Sequence, residues 1–362
     1  SKKDISNKLK ITVNLLNEWL KGTKKPTLRK LENLSQILKR PLATFFLSDP
    51  PKEKPLPKDY RMIPEKLGKF DNKTILAIRR ARRLQRISKE LSENLKVNIE
   101  SEISPANLSD NPKIIAKKYV ELFKIDDDVR KKWKTPYNAF NFFRDILENK
   151  NVIVFKMPML LEDARGLTLL DDSPTVIVVN SKDLPEAQVF TLLHEFGHVI
   201  LNKPGVSIPD IALFKTSVEK VERWCNEFAS EILLPQKFAK EHFDRNKGKL
   251  VETNTLNSLS RKLKISKAML LYNMFKMDYI NRTIYKSVLE RFNPIKLIPK
   301  NSKKKPGGGV SADKRCISER GQMFVSLVSK NIDGGYITRS DALDYLAVKS
   351  KNLEKVMSKA EK

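Results

Sequence analysis

The sequence predicts an α+β protein that is mostly helical, with a small β-sheet beside two site-bearing helices. Most of the 362 residues place apolar side chains at helical spacing. Two short runs rich in β-branched residues break this period, at Val152–Phe155 and Val176–Val179, and Gly166–Leu170 is a third candidate strand. A proline-rich stretch at 48–67 separates an N-terminal helical segment from the rest. We therefore expect a small N-terminal helical domain, a larger α+β domain, and a small C-terminal helical domain.

The most informative stretch is Phe190–Leu201, which contains the pattern His-Glu-x-x-His. Residues four apart lie on one face of a helix, so His194 and His198 can chelate one Zn²⁺. Glu195 then lies beside the open coordination position, where a carboxylate can accept a proton from water and return it to a leaving amine. An amphipathic core helix that carries two histidines by chance is the alternative, but the whole chain has only three histidines.

A catalytic zinc site needs a third protein ligand, and the next helical segment, Val218–Leu234, supplies candidates. Glu222 and Asn226 lie four apart on it, which suits a ligand and a residue that orients another ligand by hydrogen bonding. Glu219 and Cys225 are weaker candidates for the third position, and Cys225 falls on the apolar stripe of a core-facing helix. The alternative for Glu222 is a solvated surface glutamate.

Two segments, Phe190–Leu201 and Glu222–Pro235, resemble the ImmA/IrrE family of zinc metallopeptidases. Upstream, Gly166-Leu-Thr-Leu and Thr175–Asn180 are similar to the strands that precede the helix in that family. The resemblance implies a fold related to the thermolysin-like zinc peptidases. It also implies a protein substrate, a helix-turn-helix repressor, whose cleavage releases stress or mobile-element genes.

The same resemblance assigns roles to single residues. It implies that zinc is bound by His194, His198 and Glu222, and that Glu195 is the general base. Trp224 stands where the family often carries a second acidic residue. This difference leaves Glu222 as the matching carboxylate.

The formal charge of +27 is distributed unevenly along the chain. Residues 151–235 hold seven Lys/Arg and twelve Asp/Glu, whereas residues 1–60 hold fourteen and six. A basic periphery suggests nucleic acid as a partner, and simple solvation by lysine is the alternative. Two cysteines are too few for a disulfide framework, and the sequence has neither a signal-like apolar region nor an apolar run of eighteen residues. These features predict a cytoplasmic protein without a membrane span.

Residues 5–22 have the spacing of a helix-turn-helix and resemble the repressor-type (XRE-like) domains that often precede an ImmA/IrrE domain. The second helix would enter the major groove. Its predicted DNA-contacting residues, with those of the loop after it, are Val13, Asn14, Asn17, Lys21, Lys24 and Lys25. Lys10 replaces the usual turn glycine, and the first helix is short or missing. A structural or dimerising module that does not bind DNA is the alternative.

The rest of the chain is divided by composition and periodicity. An arginine-rich helix, Ile75–Leu95, is either a phosphate-binding surface or a solvated connecting helix. Leu259–Ser266 repeats the pattern of Ile5–Thr12, and Ala342–Val348 repeats it more weakly. The predicted divisions are a helix-turn-helix domain at 1–48, a linker at 49–74, a helical segment at 75–150, a metallopeptidase domain at 151–299 with a second helix-turn-helix-like segment at 255–282, a basic glycine-rich connector at 300–317, and a helical tail at 318–362.

Two hypotheses follow. The first is a zinc-dependent endopeptidase of narrow specificity that cleaves a DNA-binding repressor, recruited to DNA by its own N-terminal domain. The second is a DNA-binding transcriptional regulator whose zinc domain is a sensor or a partner-binding module without proteolysis.

Overall fold

The computed structural model describes residues 2–38, 42–49, 70–203, 206–207, 217–291 and 310–360. The chain divides into two compact units, Ser1–Leu56 and Pro57–Lys362. Among the helices of the described residues, none is both long and apolar enough to cross a membrane.

The first unit contains α1 (Lys2–Leu9), α2 (Val13–Lys21), α3 (Leu28–Leu38) and a 3₁₀ turn at Leu42–Phe46. The hydroxyl of Thr12 accepts a hydrogen bond from the backbone N–H of Leu15 and so caps α2, which ends before the left-handed Gly22. Lys10 adopts a φ of 52°, so a lysine takes the left-handed turn conformation that glycine usually supplies. Helix α1 packs against both α2 and α3.

The second unit contains a four-stranded sheet in the order β1-β3-β2-β4, with β1 at Val152–Met157, β2 at Gly166–Leu169, β3 at Thr175–Asn180 and β4 at Val206–Ser207. Strands β1 and β3 are parallel, and β2 is antiparallel to both β3 and β4. The three predicted strand segments thus form strands, and the expectation of a mostly helical α+β protein with a small sheet is confirmed.

The described part of the second unit also contains helices. They are α4 (Asn72–Leu95), α5 (Pro112–Leu122), α6 (Asp127–Lys132), α7 (Pro136–Glu148), α8 (Pro185–Ile200), α9 (Ser217–Leu233), α10 (Gln236–Asp244), α11 (Thr253–Leu263), α12 (Lys267–Lys276), α13 (Arg282–Arg291), α14 (Ala312–Arg320), α15 (Gln322–Asp333), α16 (Arg339–Leu346) and α17 (Ser350–Ala360).

Both faces of the sheet are covered. Val154 and Ile177 belong to the large core cluster that also contains residues of α7, α8 and α9. Alternate residues of a strand point to opposite faces, and Phe155 meets Phe324 of α15 edge-on at a ring-centroid distance of 5.4 Å. Helix α4 also packs against β3. The predicted metal helix therefore lies on one face, and α4 and α15 lie on the other.

The C-terminal helices are part of the second unit, and the structure shows where two of the expected segments meet helices. Part of the predicted connector at 300–317 forms α14, while residues 300–309 lie outside the described residues. The predicted tail packs on α4 and α7, and α14 packs on β1. The predicted linker at 49–74 ends earlier, because Asp71 caps α4 at Asn72, and residues 50–69 lie outside the described residues.

Two residues of α7 hold the corner between α14 and α15. Arg144 donates to the carbonyl oxygens of Ile317 and Ser318 at the end of α14. Glu148 accepts from the backbone N–H of Met323 at the start of α15, at 2.9 Å. Burial raises the pKa of Glu148 to about 7. Such groups satisfy helix ends that would otherwise be buried without partners, which explains why the C-terminal helices do not form a separate tail.

The arginines of α4 are largely paired with acids. Arg82 contacts Asp171 at 3.5 Å, Arg83 contacts Asp344 at 2.5 Å, and Arg86 contacts Glu90 at 3.5 Å. These pairs use charge that a phosphate-binding surface would need, so the structure favours a connecting helix.

The sequence pattern shared by Ile5–Thr12 and Leu259–Ser266 forms a corner between two helices in both places. Lys264 has a φ of 59°, and the Ser266 hydroxyl accepts from the N–H of Met269 to cap α12, as Lys10 and Thr12 do before α2. Ala347, with a φ of 52°, occupies the corresponding place between α16 and α17. The pattern therefore encodes a two-helix corner and does not by itself indicate DNA binding.

Candidate metal centre

The site is built on α8, a helix buried along most of its length. Pro185 starts this helix, and its apolar residues pack against α7, α9 and the sheet. His194, Glu195 and His198 are each at most 2% exposed. Three polar side chains on a buried helix require partners, because unpaired polar groups are costly in an apolar interior.

Glu222 of α9 meets both histidines. Its Oε2 lies 3.1 Å from Nε2 of His194, and its Oε1 lies 3.3 Å from Nε2 of His198. The two Nε2 atoms are 3.2 Å apart. All three residues are buried, and their candidate ligand atoms lie within 4.8 Å of one another. The structure thus brings together the two histidines and the glutamate singled out as ligands.

Hydrogen bonds on the far side of each imidazole fix which nitrogen faces this cluster. Nδ1 of His194 lies 2.8 Å from Oδ1 of Asn226, and Nδ1 of His198 lies 3.0 Å from the carbonyl oxygen of Lys203. Both partners accept hydrogen bonds, so both Nδ1 atoms carry the proton in the neutral rings. Each Nε2 atom then presents a lone pair to the other Nε2 atom and to the carboxylate of Glu222. A cation between them resolves this repulsion, and the set is compatible with a bound metal ion.

A glycine allows α9 to approach α8 closely enough to deliver Glu222. A Cβ atom placed on Gly197 would lie 3.1 Å from Cα, Cβ and Sγ of Cys225, tighter than ordinary contact. Cys225 is fully buried at this crossing and forms no disulfide, so it fills the role of a small core residue. The pair Gly197 and Cys225 therefore sets the separation of the two helices.

The carboxylate of Glu195 is held by the sheet. The Thr168 hydroxyl on β2 donates to Oε2 of Glu195 at 2.6 Å. Close approach of β2 to α8 depends on Gly166, where a Cβ atom would lie 2.5 Å from Cγ2 of Thr191 and 2.9 Å from Oε1 of Glu195. Sequence analysis did not identify Thr168 as a site residue, although it lies in the Gly-Leu-Thr-Leu segment that carried the resemblance.

Other candidates near the site have structural roles or lie outside the described part. Trp224 is buried, donates from Nε1 to the carbonyl of Asp110 at 2.8 Å, and stacks on Phe228. The side chain of Glu219, the other candidate third ligand, lies outside the described residues.

The predicted DNA-contacting residues lie in the first unit. Val13, Asn14, Lys21, Lys24 and Lys25 are exposed. Two of the six also have partners within the unit: Asn17 accepts from Nζ of Lys2 at 3.1 Å, and Lys24 contacts Glu18 at 3.0 Å.

We expect Asn226→Ala to weaken metal binding by about 10–100-fold, because the substitution removes the acceptor that orients His194. Competition with a chelating dye would measure the dissociation constant. Asn226→Asp is the matched control, since a carboxylate oxygen can still accept from Nδ1 and should keep the affinity near that of the wild type. Equal affinity of the alanine and wild-type proteins would contradict an orienting role for Asn226.

Comparison with known proteins places this site in a recognised domain. Residues 147–275 match the peptidase M78 family, described as an IrrE N-terminal-like domain. Over 78 residues the chain is 40% identical to the radiation response metalloprotease IrrE of Deinococcus radiodurans, an overlap of 21% of this chain and 24% of that protein. The chain thus matches about a quarter of the length of this curated relative. The matched family segment contains α8, α9 and the candidate ligands, so it supports metallopeptidase chemistry in this part of the chain.

Proposed function

We propose that the chain is a zinc-dependent endopeptidase with a thermolysin-like core, and that it cleaves a DNA-binding helix-turn-helix repressor to derepress stress or mobile-element genes. The observation that carries the proposal is the buried set of His194, His198 and Glu222, next to a Glu195 held by Thr168. Two imidazoles and one carboxylate form one of the ligand sets found in catalytic zinc sites, which keep a fourth position for water or substrate.

Each protein group has a distinct part in the proposed reaction. The zinc ion would polarise the scissile carbonyl and make its water more acidic. Glu195 would accept the proton of the attacking water and deliver it to the leaving amine. The hydrogen bond from Thr168 restricts the rotation of the Glu195 carboxylate, and Asn226 keeps His194 in the tautomer that presents Nε2.

The sheet beside the site offers a place for an extended peptide. In the part of the chain that the structure describes, strand β4 pairs with Gly166 and Leu167 of β2. Within the described residues, no strand pairs with Thr168 and Leu169 on that side. A substrate segment could therefore add to this part of β2 through backbone hydrogen bonds, close to the carboxylate of Glu195.

Two further observations support a repressor as the substrate. The excess of acidic residues at 151–235 would attract a basic DNA-binding protein. The relative from Deinococcus radiodurans is, by its name, a metalloprotease of the radiation response. A stress-gene repressor fits both.

The N-terminal unit would bring the peptidase to the operator where the repressor is bound. A groove of about 790 Å³ in this unit is lined by Lys8, Lys10, Arg29 and Lys30, with Asn33 among its polar residues. Such a groove offers phosphate contacts, and the exposed Val13, Asn14 and Lys21 of α2 would face the bases.

A comparison of new protein N-termini tests proteolysis. Zinc-loaded protein, chelator-treated protein, and chelated protein reloaded with zinc are each incubated with the soluble proteins of the host, and new N-termini are labelled and identified. We expect a few cleavage sites, in a helix-turn-helix protein, that disappear on chelation and return with zinc. Unchanged N-termini in all three samples would contradict the proposal.

The alternative is a DNA-binding regulator without proteolysis, favoured by the basic groove of the first unit. It predicts sequence-selective, salt-dependent DNA binding that is independent of Glu195, together with no metal-dependent cleavage. Electrophoretic mobility shifts over a range of salt concentrations, compared with the cleavage result, separate the two functions.

A further inference from the structure

A cavity of about 410 Å³ lies on the face of the sheet opposite the metal helix. It is formed between α4 and the segment that follows β1. Met157 is two residues from Phe155 along β1, so both side chains point to the face that carries α4 and α15. The apolar lining includes Leu76, Ala77, Met157, Pro158, Met159 and Leu161. Neither the candidate metal ligands nor Glu195 lines this cavity.

The cavity is bordered by more positive than negative charge. Lys73, Arg80 and Lys182 line it, and Glu162 is its acidic residue. Within the described parts of the chain, none of these three cations lies within ion-pair distance of an acidic group. By contrast, Arg82 and Arg83 of the same helix are each paired with an acid. The cavity therefore combines an apolar interior with cations that pair with no acidic group among the described residues.

The segment at 157–162 forms the side of the cavity opposite α4, and hydrogen bonds fix its backbone before any ligand binds. Asn180, which is fully buried, accepts from the N–H of Met159 and donates to the carbonyl oxygens of Met159 and Ala164. The backbone N–H of Leu160 donates to the hydroxyl of Thr74 on α4 at 3.2 Å. A ligand would therefore bind with little ordering of the wall, which lowers the entropic cost of association.

These properties select a chemical class of ligand. Bare phosphate or acetate would leave the apolar walls uncovered, whereas a neutral hydrocarbon would leave the cations without a counter-charge. The volume lies within the range of about 300–1,000 Å³ that is typical of small-molecule sites. We propose that this cavity binds one amphiphilic anion, with its apolar body against α4 and β1 and its anionic group near Arg80 and Lys182. This proposal does not depend on peptidase activity.

Titration calorimetry of the full chain with octanoate tests the proposal, with acetate and 1-octanol as probes that carry only the charge or only the apolar body. We expect one saturable octanoate site with at least tenfold higher affinity than either control probe. The double substitution Arg80→Glu and Lys182→Glu should weaken octanoate binding at least tenfold and leave 1-octanol binding unchanged. Leu76→Trp, which fills the cavity, should weaken both. Hydrogen exchange should slow at 157–162 when octanoate is bound.

Arg86→Glu is the matched control, since Arg86 lies on the same helix, pairs with the exposed Glu90, and does not line the cavity. It should leave octanoate binding unchanged. The substituted cations are exposed, so circular dichroism should show a folded protein in each case. No saturable octanoate binding, equal affinity for octanoate and 1-octanol, or undiminished binding in the folded double variant would each overturn the proposal. So would binding to anionic vesicles without one-to-one binding of octanoate.

Discussion

Glu195→Gln should slow cleavage by two to four orders of magnitude, which is about 10²–10⁴-fold, and leave the metal bound. Glutamine has nearly the same size as glutamate, and its amide oxygen can still accept the hydrogen bond from Thr168. It cannot accept a proton from water at neutral pH, so the step that needs a general base is lost. General acid–base catalysis contributes about 10²–10⁴-fold, and we expect the rate on the identified substrate to fall by that factor. The zinc content should stay at the wild-type value, because Glu195 is not among the three candidate ligands.

Single-turnover cleavage of the substrate, with metal analysis of the same preparation, measures both effects. Glu186→Gln is the matched control, because Glu186 lies in the first turn of the same helix and outside the ligand set. It should cleave at the wild-type rate. A Glu195→Gln protein that keeps wild-type activity would rule out Glu195 as the base, and one that loses zinc would show that Glu195 helps to hold the metal.

The parts of the site that sequence could predict are those set by local geometry. The placement of His194 and His198 on one face follows from their spacing on a single helix, and so does that of Glu222 and Asn226 on the next. The spacing cannot show how near the two helices lie. That distance depends on the contact between Gly197 and Cys225, and each of these residues taken alone has an ordinary sequence context.

The role of Thr168 could not be predicted from the sequence. This residue reaches Glu195 only because β2 lies beside α8 in a register that places Gly166 and Thr168 on the same face as Ile177. A threonine in a strand is common, since β-branched residues favour strands. The other sequence feature is Gly166, two residues earlier, which permits β2 to approach α8 closely. Its importance is visible only once the contact between β2 and α8 is known.

Charge and composition were weaker guides to the arrangement of the helices. The arginines of α4 suggested a phosphate surface, yet Arg83 reaches Asp344, which is 261 residues away in sequence. The glycine- and lysine-rich segment near 300–315 suggested a separate tail, yet Arg144 and Glu148 hold the helices beyond it. Both outcomes depend on long-range pairing, which a local window cannot contain.

His198→Ala and Glu222→Ala should each remove the metal from a folded protein. Each substitution removes one of the three protein ligands of a tetrahedral site. The two ligands that remain then hold the ion together with additional water molecules. We expect the affinity to fall by more than about 100-fold, because a loss of about 10–100-fold already follows removal of a group that only orients a ligand. Mass spectrometric metal analysis and a zinc titration of the apo-protein measure this. Zinc should also raise the melting temperature of the wild type and not of either variant, since a ligand that binds only the native state stabilises it.

Glu227→Ala provides the comparison for Glu222→Ala, because Glu227 lies on the same helix and pairs with Lys276 instead of with the histidines. It should bind zinc as the wild type does. Zinc retained by Glu222→Ala would place the third ligand elsewhere. A wild type that is well folded and cannot be loaded with zinc would contradict the peptidase proposal. The orientation of both imidazoles makes that outcome unexpected, because their Nε2 atoms and the carboxylate of Glu222 converge on a common point, where their mutual repulsion favours a bound cation.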